Sequence, residues 1–533
     1  MSKAWLVVAA LAAVGLSTGW VLAAEDTASG PATIYTNDNA PKTPALEDLP
    51  LKESVSQYGI TWTFDGPARV GQFVNGDWYV VGQVTVKSID PKPLFGEEVP
   101  QSELGGEKVA SAMRNGSMLN PPARHEAGLD SGTKNFYRAN LAARLPIAMK
   151  PRDTLVSSIS IKQGEKVKFV YHASGARLQH DNSCTRVVAV LTCVAEPLPA
   201  DAFRPGYSDR QGKVYLARNL RRNQLTSLPR TPGAPDALEF AKVFQRPWFN
   251  PCFFGFEQPM ENMPQYGQWV GQAVSNAGLL LCMDFKPQEK ERLLLNFVQV
   301  GIDYWSMVKN GHPGWQGWGG HNSGRKFPIV FAGWILGDEE MASPTKGFPK
   351  CEFGEDNQTR YGEGWTGAKA VFAGHSGISS ATGKAPRPQW GPYEHMHPSL
   401  WDQPGQRNAQ SEAYRRSNTS CCWVGEALAM RILKIEKQWN HDAFFDYVDR
   451  WMTEDEKSFR AEISKKTGDK NLINDAKTWC HQGYTGEAWI RTVWDKYRTA
   501  PGMPATDGWK TLKPNPDGLV LPAVQKGGAT EGI

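Results

Sequence analysis

Residues 60–89 of the chain, "ITWTFDGPARVGQFVNGDWYVVGQVTVKSI", alternate between apolar and polar side chains. A period of two is typical of strands with one buried face, and the turn signals at 65–67 and 75–77 predict short strands joined by tight turns. Three later runs share the pattern: "TLVSSISI" at 154–161, "KVKFVYHA" at 166–173 and "TRVVAVLTCVAE" at 185–196. We therefore expect an antiparallel β-sandwich over residues 56–230.

Further along the chain the apolar period becomes helical. In "PQEKERLLLNFVQVGIDYWSMVKNGHPG" at 287–314, Pro287 marks a helix start and Asn310-Gly311 marks its end. Shorter helices are predicted in "FPIVFAGWILGD" at 327–338 and in the segments 421–440 and 441–455, with a last one ending near Arg498. Helices joined by long loops predict an (α/α) toroid over residues 231–500, and a plain helical bundle is the alternative. The fold class expected is thus α+β multidomain.

The two ends of the chain differ from this body. Lys3 precedes an apolar run at 5–16 and a plausible cleavage site, Val-Leu-Ala, at 21–23, which predicts a signal peptide over 1–23 and a secreted or periplasmic protein. The run is too short to predict stable membrane insertion. Residues 24–55 are expected to form a flexible leader, and residues 501–533 a loosely packed tail.

Composition excludes several classes of protein. With 533 residues, 21% charged residues and a net charge of +4, the chain is neither disordered nor strongly basic, and no nucleic-acid motif suggests such a partner. Twenty Trp residues fit either stacking on sugar rings or core packing. Eight Cys residues permit disulfides in an exported chain, for which a Cys184–Cys193 hairpin bridge is one possibility.

Three polar clusters are candidates for a functional site. The first, "PGWQGWGGHNSGRKFP" at 313–328, holds Trp315, Trp318, His321, Asn322 and Arg325. One interpretation is a glycine-rich loop in which Asn322 or the next residue, a serine, caps the following helix. The other is a site with two stacking Trp residues, a base and a group that binds a carboxylate.

The second cluster, "APRPQWGPYEHMHPSLW" at 385–401, holds Arg387, Trp390, Tyr393 and His395. His395 and the histidine two residues later could bind a metal, but without a clear third ligand we predict no metal and no cofactor.

The third cluster, "SEAYRRSNTSCCW" at 411–423, holds Tyr414, Arg415 and Arg416. Adjacent arginines are usually solvated or paired with acids, but beside Tyr they could also grip the carboxylate of a uronic acid.

Together these clusters supply the residue types that β-elimination of an acidic polysaccharide requires: a donor that neutralises the carboxylate, a base for the C5 proton and an acid for the leaving oxygen. The layout resembles secreted polysaccharide lyases with a helical toroid, of the alginate and glucuronan lyase kind. Those enzymes are similar to one another in an Asn/His pair after a Trp-containing loop, followed by an Arg and a Tyr. Here the pair is His321 and Asn322, in reversed order, followed by Arg387 and Tyr393.

The resemblance implies specific roles and an acidic polysaccharide as substrate. His321 would remove the C5 proton, Asn322 and Arg387 would bind the carboxylate, and Tyr393 would protonate the leaving oxygen. The other candidates would bind the substrate: Trp315, Trp318, Arg325, Trp390, His395, Tyr414, Arg415 and Arg416. Tyr414 with Arg415 or Arg416 is a rival for the Arg/Tyr half of the motif.

Two other functions stay open. A glycoside hydrolase would need two carboxylates across a cleft, for which the acids are Glu355, Asp356, Glu363, Glu394, Asp402 and Glu412. A non-catalytic carbohydrate-binding protein would use the same Trp residues.

Overall fold

The computed structural model describes residues 29–524 apart from the segments 104–111, 172–184, 251–260, 374–392, 401–408 and 466–482 and a few isolated positions. The predicted signal peptide lies outside the described residues. The architecture is α+β, with a curled N-terminal sheet followed by helices.

The strands are short except for β2 and β10. Their bounds are β1 (Leu51–Gln57), β2 (Ile60–Gln72), β3 (Trp78–Val81), β4 (Val84–Asp90), β5 (Leu94–Phe95), β6 (Met113–Arg114), β7 (Ser117–Leu119), β8 (Ile147–Met149), β9 (Thr154–Ser160), β10 (Thr185–Val194), β11 (Gly314–Trp315), β12 (Glu352–Phe353), β13 (Thr359–Tyr361) and β14 (Ala370–Phe372). Eight of them form one sheet in the order β7-β9-β10-β3-β2-β4-β8, with β1 also pairing with β2. All its pairs are antiparallel except β10 with β3.

Strand β2 explains how this sheet curls. Its first part alternates as expected, with Ile60, Trp62 and Phe64 buried, and pairs with β1 and β4; its last part pairs with β3. The turn predicted at 75–77 is confirmed, but the one predicted at 65–67 is wrong because β2 continues through it. The register with β1 shifts there, so Pro67, which has no N–H, falls outside the paired positions.

A β-sandwich is not confirmed, because the strands form one curled sheet with a core inside the curl. Trp62, Val86 and Leu191 belong to that core. The opposite face of β9 and β10 presents Val156 and Val188 to the core of the helical region. The segment "KVKFVYHA" contributes no strand in its described residues. Thus the helices take the place that a second sheet would occupy.

The helical part begins after residue 236. Its helices are α1 (Ala237–Ala241), α2 (Gly267–Leu281), α3 (Pro287–Lys309), α4 (Lys326–Leu336), α5 (Glu339–Ala342), α6 (Pro344–Gly347), α7 (Gly354–Gln358), α8 (Ala409–Leu433), α9 (Glu436–Trp439), α10 (Asp442–Thr453) and α11 (Ala488–Tyr497). Two sequence predictions are confirmed: Pro287 opens α3, and Gly337, with φ of 76°, ends α4 in the left-handed conformation.

Close packing of α2 against α8 and of α3 against α4 organises this part. Gly301 on α3 shows why small residues are needed there, since a Cβ at this position would lie 2.3 Å from the backbone oxygen of Pro328 on α4. An (α/α) toroid is not confirmed by this arrangement. Among the described residues, no helix combines the length and apolar character needed to cross a bilayer.

The expected leader and tail contact the rest of the protein at particular residues. Ala32 is 4% exposed and its N–H bonds to the oxygen of Gln288, and β1 begins at Leu51, within the expected leader. In the tail, Asn515 bonds to the backbone of Tyr361, and Leu521 is buried. Most of the other described residues before β1 and after residue 500 are exposed or half-buried.

Four buried cysteines, at positions 193, 282, 351 and 422, are free thiols. The Cys193 thiol donates to the backbone oxygen of Gly82 at 2.8 Å, so it takes no part in the predicted hairpin bridge. Cys184 lies outside the described residues.

Candidate functional site

The loop between α3 and α4, residues 317–325, is shaped by one buried arginine. The Arg325 guanidinium donates to the backbone oxygens of Ser323 at 2.6 Å and of His321 at 3.4 Å, and its Nε donates to Asn250. Gly320 and Gly324 take positive φ, which lets the loop fold back on itself. Arg325 is fully buried, so we correct its predicted role: it holds the loop and does not face a substrate.

The capping interpretation of this loop is also wrong. The residue before α4 makes no side-chain cap. Asn322, only 1% exposed, donates to the backbone oxygen of Gln316 at 2.7 Å, and the Ser323 hydroxyl accepts from Trp423 on α8 at 3.1 Å. These side chains tie the loop to its neighbours instead. His321 is only partly buried, so it is the accessible member of the predicted His/Asn pair.

Trp315 does not form a stacking surface. Its ring stacks on His312 at 4.2 Å between centroids and also contacts Tyr304 and Phe353. Since the residue is fully buried, its indole has no face left for a sugar, and the prediction is corrected to a core role. The Trp318 backbone starts a 3-10 turn, and its side chain lies outside the described part.

In the second cluster, Arg387 and Trp390 lie outside the described residues. Tyr393 starts a 3-10 turn (Tyr393–His395), which we call the 393 turn; its side chain is not among those described. His395 is 2% exposed and its Nδ1 lies 2.8 Å from the backbone oxygen of Glu363, while burial lowers its pKa. A neutral, buried imidazole does not suit contact with a uronate, so His395 is corrected to a structural position.

The two histidines of this cluster point to different partners. The His397 Nε2 lies 2.7 Å from the Glu462 carboxylate, and its Nδ1 bonds to Ser399, whereas His395 bonds to a backbone oxygen. Within the described parts of the chain, no group of three or more His, Cys, Asp and Glu side chains is arranged to hold a metal ion.

The third cluster lies at the start of α8. The side chains of Tyr414 and Arg415 are outside the described part. Arg416 is 3% exposed, its Nε donates to the Tyr447 hydroxyl at 3.1 Å, and it lies 3.8 Å from Glu394 and 3.7 Å from Glu454. Arg416 therefore pairs with acidic side chains of the protein, which was one of the two roles predicted for these arginines. Its other predicted role, binding a substrate carboxylate, is corrected.

Arg450 on α10 completes this ion network. It donates to both carboxylate oxygens of Glu394, at 2.9 and 2.7 Å, and to Glu454 at 2.8 Å. Burial works to raise the pKa of Glu394, but Arg450 and Arg416 outweigh it and hold that pKa below its usual value. Glu394 therefore stays ionised and anchors the 393 turn directly beside Tyr393.

The loop and the 393 turn meet α8 close together. A Cβ at Gly320 would lie 2.6 Å from the Thr419 hydroxyl, so the loop backbone rests on α8 at that residue. The 393 turn reaches α8 through Glu394 and Arg416. Residues 416 and 419 are separated by about 4.5 Å along a helix axis. Two sequence clusters more than 70 residues apart thus share one turn of α8.

Two buried carboxyl groups lie beneath the loop. Glu355 accepts from the Gly324 N–H at 2.5 Å, and burial raises its pKa to about 7. Glu426 on α8 is fully buried, and neither carboxyl oxygen has a hydrogen-bond partner among the described residues. Burial, with the nearby Glu355 charge second, raises the pKa of Glu426 well above its usual value. Burial therefore favours the neutral form of Glu426.

Sequence reasoning missed Glu426 and Arg450. Glu426 is the one acid in the otherwise apolar run 421–430, "CCWVGEALAM", and that isolation was the available signal. The sequence around Arg450, "DYVDRWMTED", carries no such signal, because an arginine among acids in a helix is ordinarily solvated.

Comparison with known proteins gave no relative: the chain matches no family model, no curated protein and no solved structure.

Proposed function

We propose that this protein is a polysaccharide lyase that cleaves a uronic-acid-containing polysaccharide by β-elimination, in a secreted or periplasmic setting. The observation that supports the proposal is the meeting of the loop and the 393 turn on one turn of α8. This brings the backbones that carry His321 and Tyr393 to the same part of the fold, which a base and an acid of one reaction require.

The reaction needs no co-reactant. His321 takes the proton from C5 of the uronate, and the electron pair left behind forms the C4–C5 double bond. The C4–O bond then breaks, and the leaving oxygen takes a proton from Tyr393. An imidazole is suited to the first step because its ordinary pKa lies near neutral pH. His321 also lies on a partly accessible loop.

The uronate carboxylate must be neutralised for C5 to lose its proton. Arg387 is the donor proposed for this role, whereas Asn322 is 1% exposed and donates to the backbone oxygen of Gln316, so it is assigned to hold the loop that carries His321. Arg325 and Arg416 are proposed to hold the loop and the 393 turn in place, since both are fixed in buried networks. The remaining proposed substrate contacts are Trp318, Trp390, Tyr414 and Arg415.

A glycoside hydrolase is the alternative, and the carboxylates described for it are occupied. Glu355 is fully buried against Gly324, Asp356 pairs with Lys326, Glu394 is bound by Arg450, and Glu363 pairs with Lys369. A hydrolase needs one carboxylic acid and one carboxylate facing the same sugar. These four acids therefore favour the lyase over the hydrolase.

The test is a screen of alginate, glucuronan and glycosaminoglycan chains, followed by the ultraviolet absorbance of the unsaturated product. His321→Ala and Tyr393→Phe should each lower the rate by about 100-fold or more, since each removes an acid–base group. His397→Gln is the matched control and should keep the wild-type rate, because His397 bonds only outward, to Glu462 and Ser399.

Three results would contradict the proposal. Saturated chain ends without absorbance would indicate a hydrolase. Binding without any change in chain length would indicate a non-catalytic protein. Wild-type rates in both variants would remove His321 and Tyr393 from the mechanism.

A further inference from the structure

A cavity of about 470 Å³ lies next to α7, on the side away from Glu355. Its wall combines three parts of the chain: the segment 345–360, the turn at Asn440 and His441, and Pro516 with Asp517 from the tail. This volume lies within the range of small-molecule sites. None of the described residues of the three sequence clusters lines it.

The charges deep in this wall already have partners. Arg360 donates to the Asp517 carboxylate at 2.7 Å. Asp356 accepts from Lys326 at 2.5 Å and from the Trp439 indole at 2.8 Å. A charged ligand would have to displace one of these partners and leave a buried charge uncompensated, which is costly. The wall therefore favours a neutral ligand.

The same wall offers hydrogen bonds. The His441 Nε2 lies 2.5 Å from the backbone oxygen of Thr359, so Nε2 carries the proton and Nδ1 is left as an acceptor. Burial lowers the pKa of His441 to about 4, which keeps the ring neutral. The Asp356 side chain lines the cavity and is 14% exposed. Asn357 and Asn440 line the cavity with amides.

A hydroxyl group can donate and accept, which suits a wall that mixes carboxylate, imidazole and amide groups. Pro349, Phe353 and Pro516 also line the cavity and supply apolar surface. Several hydroxyls around an apolar ring face are the chemistry of a sugar.

We propose that this cavity binds a neutral sugar of one or two rings, through hydroxyl hydrogen bonds to Asp356, His441 and the Arg360–Asp517 pair. The proposal does not depend on lyase activity, because none of the described residues that line the cavity is a proposed catalytic group.

The first experiment uses the unaltered full-length chain. Glucose, maltose, cellobiose and glucuronic acid are titrated by calorimetry, and hydrogen exchange is measured with and without each sugar. We expect saturable binding of at least one neutral sugar, with slower exchange in residues 349–361 and 440–441. Absence of binding by all three neutral sugars, tighter binding of glucuronic acid, or slower exchange only elsewhere would overturn the proposal.

A second experiment changes the charge of the wall. Asp517→Asn keeps the shape but leaves Arg360 without its carboxylate, so glucuronic acid should gain about tenfold in affinity, the value of a charge-assisted hydrogen bond. The neutral sugar should lose affinity. Lys346→Gln is the control, since Lys346 is exposed and does not line the cavity, and should change either affinity less than about twofold. Unchanged selectivity in folded Asp517→Asn would exclude the assigned contacts; if this variant does not fold, the exchange data on the unaltered chain decide.

Discussion

Two buried charged clusters in this protein are built differently. In the first, Arg204 donates to Asp77 beside the sheet at 2.5 Å and to both oxygens of Asp303 on α3, at 2.9 and 2.7 Å. In the second, Glu426 has no hydrogen-bond partner among the described residues and Glu355 has one bonded oxygen. All five side chains are fully buried.

The two clusters therefore have different roles. The Arg204 cluster satisfies its charges and joins the sheet to the helices, so it is a structural link. Burial raises the pKa of both Glu355 and Glu426, so this pair resists ionisation, and Glu355 bonds to the loop that carries His321. Buried polar groups left without partners are uncommon and concentrate where strain or function requires them.

The largest effect is expected from Arg204→Met. It leaves Asp77 and Asp303 buried without a cation, and breaking such a network costs about 3–5 kcal/mol. Urea denaturation measures this loss. Arg491→Met, which removes an exposed pair with Asp495, is the control and should change the free energy of unfolding by less than about 1 kcal/mol. Equal losses in both variants would contradict the structural link.

A pH-dependent effect comes next. The pKa of Glu355 is raised from 4.5 to about 7 in the folded protein, so its protonated form stabilises the fold. That stability is complete below about pH 4.5, falls as the pH rises towards 7 and is then constant, a loss of about 3 kcal/mol.

Glu355→Gln tests this, because glutamine keeps an acceptor for the Gly324 N–H and cannot ionise. The difference in unfolding free energy between variant and wild type should grow in favour of the variant from pH 5 to pH 7. A difference that does not change over this interval would show that Glu355 titrates normally.

The smallest effect is expected from Glu426→Met. Burial favours the neutral form of the wild-type side chain, which lacks hydrogen-bond partners among the described residues, so an apolar residue of similar size should alter stability by less than about 1 kcal/mol. Arg204→Met introduces the same side chain into the other cluster, so the changes in unfolding free energy of the two variants can be compared directly. A loss as large as that of Arg204→Met would mean that Glu426 has a partner that the fold depends on.

Helices and strands with a strong local pattern were predicted correctly from the sequence. Pro287 and the helical period predicted α3, and Gly337 marked the end of α4. Alternating apolar and polar residues predicted β9, β10 and the buried face of β2. The sequence also selected the loop at 317–325 as unusual. These features depend on neighbours within a few residues, which the sequence displays directly.

The exposure of the polar and aromatic side chains, in contrast, depends on tertiary packing. Trp315 is covered by Tyr304 and Phe353, and Arg416 is enclosed by Glu394 and Glu454. These partners come from distant segments, so no local pattern reveals them. The same holds for the curl of the sheet, because a register shift in β2 and packing against helices set it. Burial is a property of the whole chain, whereas periodicity belongs to each segment.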